Sequence, residues 1–285
     1  MREFLYSQDS MLVAILLLVS LFVIIELGVR VGRTRRDGAS EAYRSHVNTI
    51  QGSILGLMAL LLGFTFSMAL QRFDARSDAM VDEANAIGTT YLRAQMLTPE
   101  VRGTVSSLLR DYVELRVAAV SVSLDHPAER QALVVRSTAV LDQIWIQAQR
   151  AVLVDPGPAT SGLFIQTLNE TIDSFGRHDA ILNRHVPELV LFMLYGAVLL
   201  TGWVLGFSCG IAGHRPSGVA FAFGLAVVAI AFVIIDIDRP RRGLIQVNQS
   251  SLTSLAAEIV ATEAARAQTS QPAPVAGRRS VTGRP

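Results

Sequence analysis

The chain reads as an all-α membrane protein: four transmembrane helices in two pairs, with an extramembrane antiparallel helical bundle between the pairs. Three observations point there. Of the 285 residues, 51% are hydrophobic and only 17% are charged, against about 25% charged in ordinary soluble domains. Mean hydropathy is +0.40, and the apolar residues are concentrated in four blocks rather than spread. Between the second and third blocks the charge density rises and the pattern turns amphipathic.

The first span, about 11–29, carries one charge, Glu26, and is followed by Arg30, Arg33, Arg35 and Arg36. Nineteen residues at a helical rise cover about 28 Å, close to the hydrocarbon thickness. A signal peptide would be shorter and would show a small-residue cleavage site before the arginines, so a retained anchor is favoured. Glu26 is expected to reach the interface rather than lipid. The second span, about 50–70, has no charge. The third and fourth, about 189–208 and 218–235, are joined by Cys209–Ser217, rich in Gly and carrying Pro216, which reads as a tight turn. Gly52 and Gly56 form one GxxxG, and Gly202, Gly206 and Gly210 extend the spacing along the third span. Four-residue spacing puts small residues on one helix face, where they allow close helix packing.

Residues 71–187 form the bundle between the first pair (1–70) and the second hairpin (188–237). With no proline from Ile50 to Leu97, the second span is expected to continue as one long helix to the Thr98-Pro99-Glu100 break. Thr98 can cap the next helix, with Pro99 in its first turn. Further helices are expected after His126-Pro127 and from about Thr160 to His185, separated by Asp155-Pro156-Gly157-Pro158. Asp236 to Arg242 should interrupt helix. A post-membrane helix falls within 238–268, and 269–285, rich in Pro, Ala and Arg, reads as a disordered tail.

Charges gather just beyond the second span, at Arg72, Asp74, Arg76, Asp78, Asp82 and Glu83. Asp74, Asp78 and Asp82 lie on one face and repel one another by about 0.2–0.5 kcal/mol per pair in an isolated helix. Arg184, Asp236, Asp238 and Arg239 should emerge on the same side of the membrane and pair with this group. An ordinary solvated helix face is the competing reading; an ion-entry vestibule is the functional one. Phe64 and Phe66 are candidate constriction residues, with core or lipid contact as the alternative.

Net charge of +1 gives no support to nucleic-acid binding. All 25 basic residues are arginine, as a GC-biased genome would produce. The single cysteine, Cys209, excludes an intrachain disulfide and a cysteine zinc cluster. His178-Asp179 and His185 lack a third ligand nearby, so no metal is expected. No GxSxG, HExxH or P-loop pattern occurs, so neither catalytic residues nor a cofactor is expected and an enzyme is disfavoured.

Certain words resemble a known family. Gln51-Gly52-Ser53-Ile54-Leu55-Gly56-Leu57, Leu61-Leu62-Gly63-Phe64-Thr65-Phe66-Ser67, Arg72-Phe73-Asp74-Ala75-Arg76, Glu83-Ala84-Asn85-Ala86-Ile87-Gly88-Thr89 and Asp236-Ile237-Asp238-Arg239-Pro240 resemble the bestrophin-like domain family of bacterial integral membrane proteins. The likeness covers most of Val47–Leu255. It implies distant kinship with bestrophins, which are pentameric anion channels whose long helices extend from the membrane. The implied protein is a multi-pass homo-oligomer of the bacterial inner membrane, with the lipid bilayer and small anions as partners. A membrane sensor or scaffold, its bundle receiving a ligand or partner, is the alternative. Orientation is contested: the five arginines from Arg30 to Arg44 argue for a cytoplasmic first loop, whereas Arg239, Arg241 and Arg242 argue for the opposite face.

Overall fold

The computed structural model describes residues 10–122, 126–182, 186–238 and 247–269. Among these there are eight α-helices and no strand: α1 (Ser10–Thr34), α2 (Glu41–Ala94), α3 (Pro99–Ser121), α4 (Pro127–Val154), α5 (Leu163–Leu182), α6 (Glu188–Ala212), α7 (Gly218–Asp238) and α8 (Ser250–Thr269). A five-residue π-helical turn, Pro158–Gly162, leads into α5. Four helices, α1, α2, α6 and α7, are long and apolar enough to cross a membrane.

The 54-residue α2 would extend about 80 Å at the helical rise. It ends at Ala94, a turn earlier than its lack of proline suggested; Gln95, Met96 and Leu97 fold into short i,i+3 turns before Pro99 opens α3. The cap expected of Thr98 is absent. Its side chain makes no capping hydrogen bond, and α3 is started by Pro99 and by the Thr98 carbonyl, which accepts from Val101 and Arg102 N–H. At the other break, Asp155 Oδ1 accepts from Gly157 N–H and Oδ2 from the Thr160 hydroxyl, bonds that hold its carboxyl below the usual carboxylate range.

Two further boundaries differ from those expected. α6 runs through Cys209 and Gly210 to Ala212, so the turn is shorter than Cys209–Ser217. It is closed by Gly213 at φ 81°, whose N–H bonds to the carbonyls of Cys209 and Gly210, a left-handed cap that costs glycine no Cβ clash. α7 continues through Asp236 to Asp238 instead of breaking there. Arg239–Arg242, Arg184, His185 and the tail from Ser270 lie outside the described residues.

The chain divides into two compact units. The first comprises Met1–Met80, Ser123–Pro127 and Asp173–Asn248 and holds the apolar stretches of all four long helices. Its core joins Leu17, Leu21 and Ile25 of α1, Met58 and Leu62 of α2, Leu194 and Val198 of α6, and Val227, Ala231 and Ile234 of α7. The closest backbone approach in this unit is not between sequential helices but between α1 and α6. A Cβ added to Gly206 would run into the Ile25 carbonyl, one on Gly28 into that of Trp203, and one on Gly32 into that of Phe207. Glycine alone lets the two backbones touch.

The second unit comprises Val81–Val122, Ala128–Ile172 and Gln249–Pro285. Val105, Leu109, Ile144, Phe164, Leu168, Leu252 and Ile259 are buried in it. α3 and α8 make its most extensive helix contact among the described residues.

Candidate functional site

The charges beyond the apolar part of α2 separate into three fates. Arg76, 1% exposed, sits at the C-terminal end of α7. Its Nη1 donates to the Ile237 carbonyl at 3.3 Å and Nη2 to the Asp238 carbonyl at 3.1 Å, with Asp238 Oδ1 3.7 Å away. The guanidinium thus satisfies carbonyls that a helix end leaves unpaired, where the dipole is negative. Asp238 Oδ2 accepts the N–H of Val186 at 2.8 Å, which fixes the chain entering α6. One arginine and one aspartate thereby tie α2, α6 and α7 together. This explains why α7 does not break at Asp236: Asp238 is fully buried and has partners.

Glu83, also fully buried, belongs to the other unit. Its two oxygens take a forked pair of bonds from Arg116 of α3, at 2.5 Å from Nε and 3.0 Å from Nη2. The Tyr112 hydroxyl approaches Oε1 at 3.5 Å. Burial, then the Glu83 charge, push the Tyr112 phenol well above its ordinary range. Arg116 was not foreseen, although it follows Tyr112 by four residues on the face that buries Val105 and Leu109. An arginine in an apolar stripe signals a buried acid.

The acidic stripe joins neither of these pairs among the described residues. Asp74, Asp78 and Asp82 are exposed and make no ion pair within 4.0 Å. Arg72 is half-buried and Asp236 is buried on α7, whereas Arg184 and Arg239 are outside the described residues. The first member of the acidic stripe shares a face with another feature. At 100° per residue, Gly52, Gly56, Gly63 and Asp74 fall within about 40° of one another on α2. A Cβ added to any of those three glycines would meet nothing within 4 Å.

Gly202, Gly206 and Gly210 instead face α1, opposite Gly28 and Gly32, a GxxxG pair the sequence reading passed over. Phe64 is 66% exposed and Phe66 38%. Two residues apart, they point about 160° from each other around the helix, so they cannot both face one path. Glu26 bonds Arg30 at 3.0 Å on the surface of α1. No group of three metal-binding side chains occurs among the described residues.

A family model described as the bestrophin-like domain matches residues 13–252. Among solved structures, a mutant form of a bacterial bestrophin homologue from Klebsiella pneumoniae superposes with a TM-score of 0.63 at 14% identity, covering 86% of this chain and 98% of that one. A second mutant form gives 0.60 at 15% identity over 86% and 98%. A variant described simply as a membrane protein gives 0.61 at 13% identity over 88% and 98%. At such identities the likeness is one of fold. No curated protein matches the chain in sequence. The family match spans most of the chain, including α2 and its charged continuation, and the protein belongs to the bestrophin-like domain family.

Proposed function

We propose that the protein is an oligomeric, ion-conducting channel of the bacterial inner membrane, with anions as its cargo. In this reading α1 and α2 cross the bilayer as one pair and α6 and α7 as another. Residues 71–187 form a bundle outside it, and the helix within 238–268 follows the last span. The observation that carries the reading is the exposure of α2. Only 22% of its most apolar stretch is buried within the chain, the smallest share of the four candidate spans. A Cβ added at Gly52, Gly56 or Gly63 on this helix would meet nothing within 4 Å among the described residues, and close packing on small residues is how membrane helices associate. A neighbouring copy or a water-filled path supplies what that face lacks.

The anion assignment rests on kinship with bestrophins. A second reading, cation conduction, is favoured by the exposed stripe Asp74, Asp78 and Asp82, because rings of carboxylates concentrate cations at a pore mouth. Purified protein reconstituted in liposomes under a KCl gradient separates them: a reversal potential near that of chloride supports the anion channel, one near that of potassium the cation channel. No conductance across varied ligands and pH, with a dimeric mass in detergent and a co-purifying partner, would favour the sensor or scaffold instead. A pentameric mass supports the pore.

A further inference from the structure

We propose that the end of the membrane unit where α1 leads to α2 and α6 turns into α7 is a docking surface for anionic phospholipid headgroups. The inference depends only on these helices crossing a bilayer, not on conduction. Three contacts bring the segments together. The α1–α6 seam runs to Gly32 and Gly210, whose added Cβ atoms would each meet the other helix's backbone. A Cβ on Gly213 would lie 2.6 Å from Arg36 Cζ, so the guanidinium covers the turn after α6. Asn48 of α2 accepts a 2.8 Å bond from the Ser208 hydroxyl, which brings the start of α2 to the same end.

Arg33, Arg35, Arg36, Arg44 and Arg215 are all exposed at this end. Among the described residues none has an ion-pair partner within 4.0 Å; the neighbouring Arg30 is engaged by Glu26. The only carboxylates in the same segments, Asp37 and Glu41, are also exposed and leave an excess of three positive charges. Tyr43 is exposed beside these arginines, a residue type suited to the headgroup layer.

Charge complementarity and position select the occupant. These arginines immediately follow or precede the apolar stretches of α1, α2, α6 and α7, so membrane insertion puts them at headgroup depth. A guanidinium offers a planar fork of donors that fits two oxygens of a phosphodiester. Arginines near an anionic surface each contribute about a fivefold preference, equivalent to about 1 kcal/mol.

The full-length protein can be reconstituted in equal phosphatidylglycerol and phosphatidylcholine, re-extracted in mild detergent, and its retained lipid quantified. Retention enriched in phosphatidylglycerol is expected, and the enrichment should collapse in about 1 M NaCl, where the screening length is about 3 Å. The R33Q/R35Q/R36Q variant should lower the enrichment at least tenfold, while R33K/R35K/R36K, which keeps the charge and loses the fork, should lower it less. If the triple glutamine variant does not fold, R35Q and R215Q, both at exposed positions, should each lower it about fivefold. Unchanged enrichment in the glutamine variants overturns the proposal. So does displacement of the lipid by millimolar inorganic phosphate or glycerol phosphate, which would make the surface a site for a soluble anion.

Discussion

Arg76 and Asp238 show how a single buried pair can set an element boundary. Each is almost inaccessible, so removing one leaves the other charge in a low-dielectric interior. Asp238→Ala is expected to lower stability by about 3–5 kcal/mol, whereas a well-packed apolar replacement of both partners should cost far less. Thermal unfolding of the purified variants in detergent checks both. If the double change costs the sum of the two single changes, the pair is not acting as a unit. Glu83 and Arg116 should behave alike, and Glu83→Ala should also change Tyr112. The raised phenol stays protonated in the folded protein after unfolded tyrosine begins to ionise near pH 10. Its stabilising effect is therefore complete below that pH and is lost as pH rises toward the folded value. Tyr112→Phe should flatten the loss of stability above about pH 10, read from unfolding midpoints across alkaline buffers. An unaltered slope would mean that other groups set the alkaline limb.

At the scale of elements, the α1–α6 seam depends on residues with no side chain. Gly206→Val places two methyl groups and a Cβ where the Ile25 carbonyl lies, so the helices must part. The cost should fall at or above the upper end of the roughly 1–3 kcal/mol typical of overpacking. Gly196→Ala, on the same helix with nothing within 4 Å of the added Cβ, should be neutral or slightly stabilising. Equal effects of the two on the melting temperature would refute the seam as the source of tight packing. The same spacing of four residues thus has two fates. Gly202, Gly206 and Gly210 are consumed inside the chain, while Gly52 and Gly56 remain open. Spacing announces a face that can be approached closely; it does not name the partner.

For the whole molecule, the open face of α2 yields a prediction about assembly. Gly56→Val should leave the folding of the isolated chain intact, because nothing lies within 4 Å, yet lower the oligomeric mass measured in detergent. A folded oligomer of unaltered mass would remove the argument that this face packs against a copy. Phe64→Ala and Phe66→Ala should separate in liposome flux: the one that faces the path raises ion flux, and the other leaves it unchanged. Changes in neither would place the constriction elsewhere on the helix.

The four spans, the unbroken α2 and the breaks at Pro99 and Asp155-Pro156 were legible because they depend on local quantities: run length, proline, and the period of apolar residues. The identity of charge partners was not. The stripe Asp74, Asp78 and Asp82 was conspicuous in sequence, but it is exposed, whereas Arg76 with Asp238 and Glu83 with Arg116 are pairs that bury charge. Those pairs join residues 162 and 33 positions apart. Gly28 and Gly32 could have been found from their spacing alone, since they form a GxxxG at the end of the first span. The sequence by itself determined that this is a multi-pass helical membrane protein of the bestrophin-like domain family, because hydrophobic length and family words are properties of neighbouring residues. Only the tertiary structure decided that α1 lies against α6, and which acids are buried with a cation. A helix face chooses its partner by steric fit and desolvation across the fold, and neither is written in the order of adjacent residues.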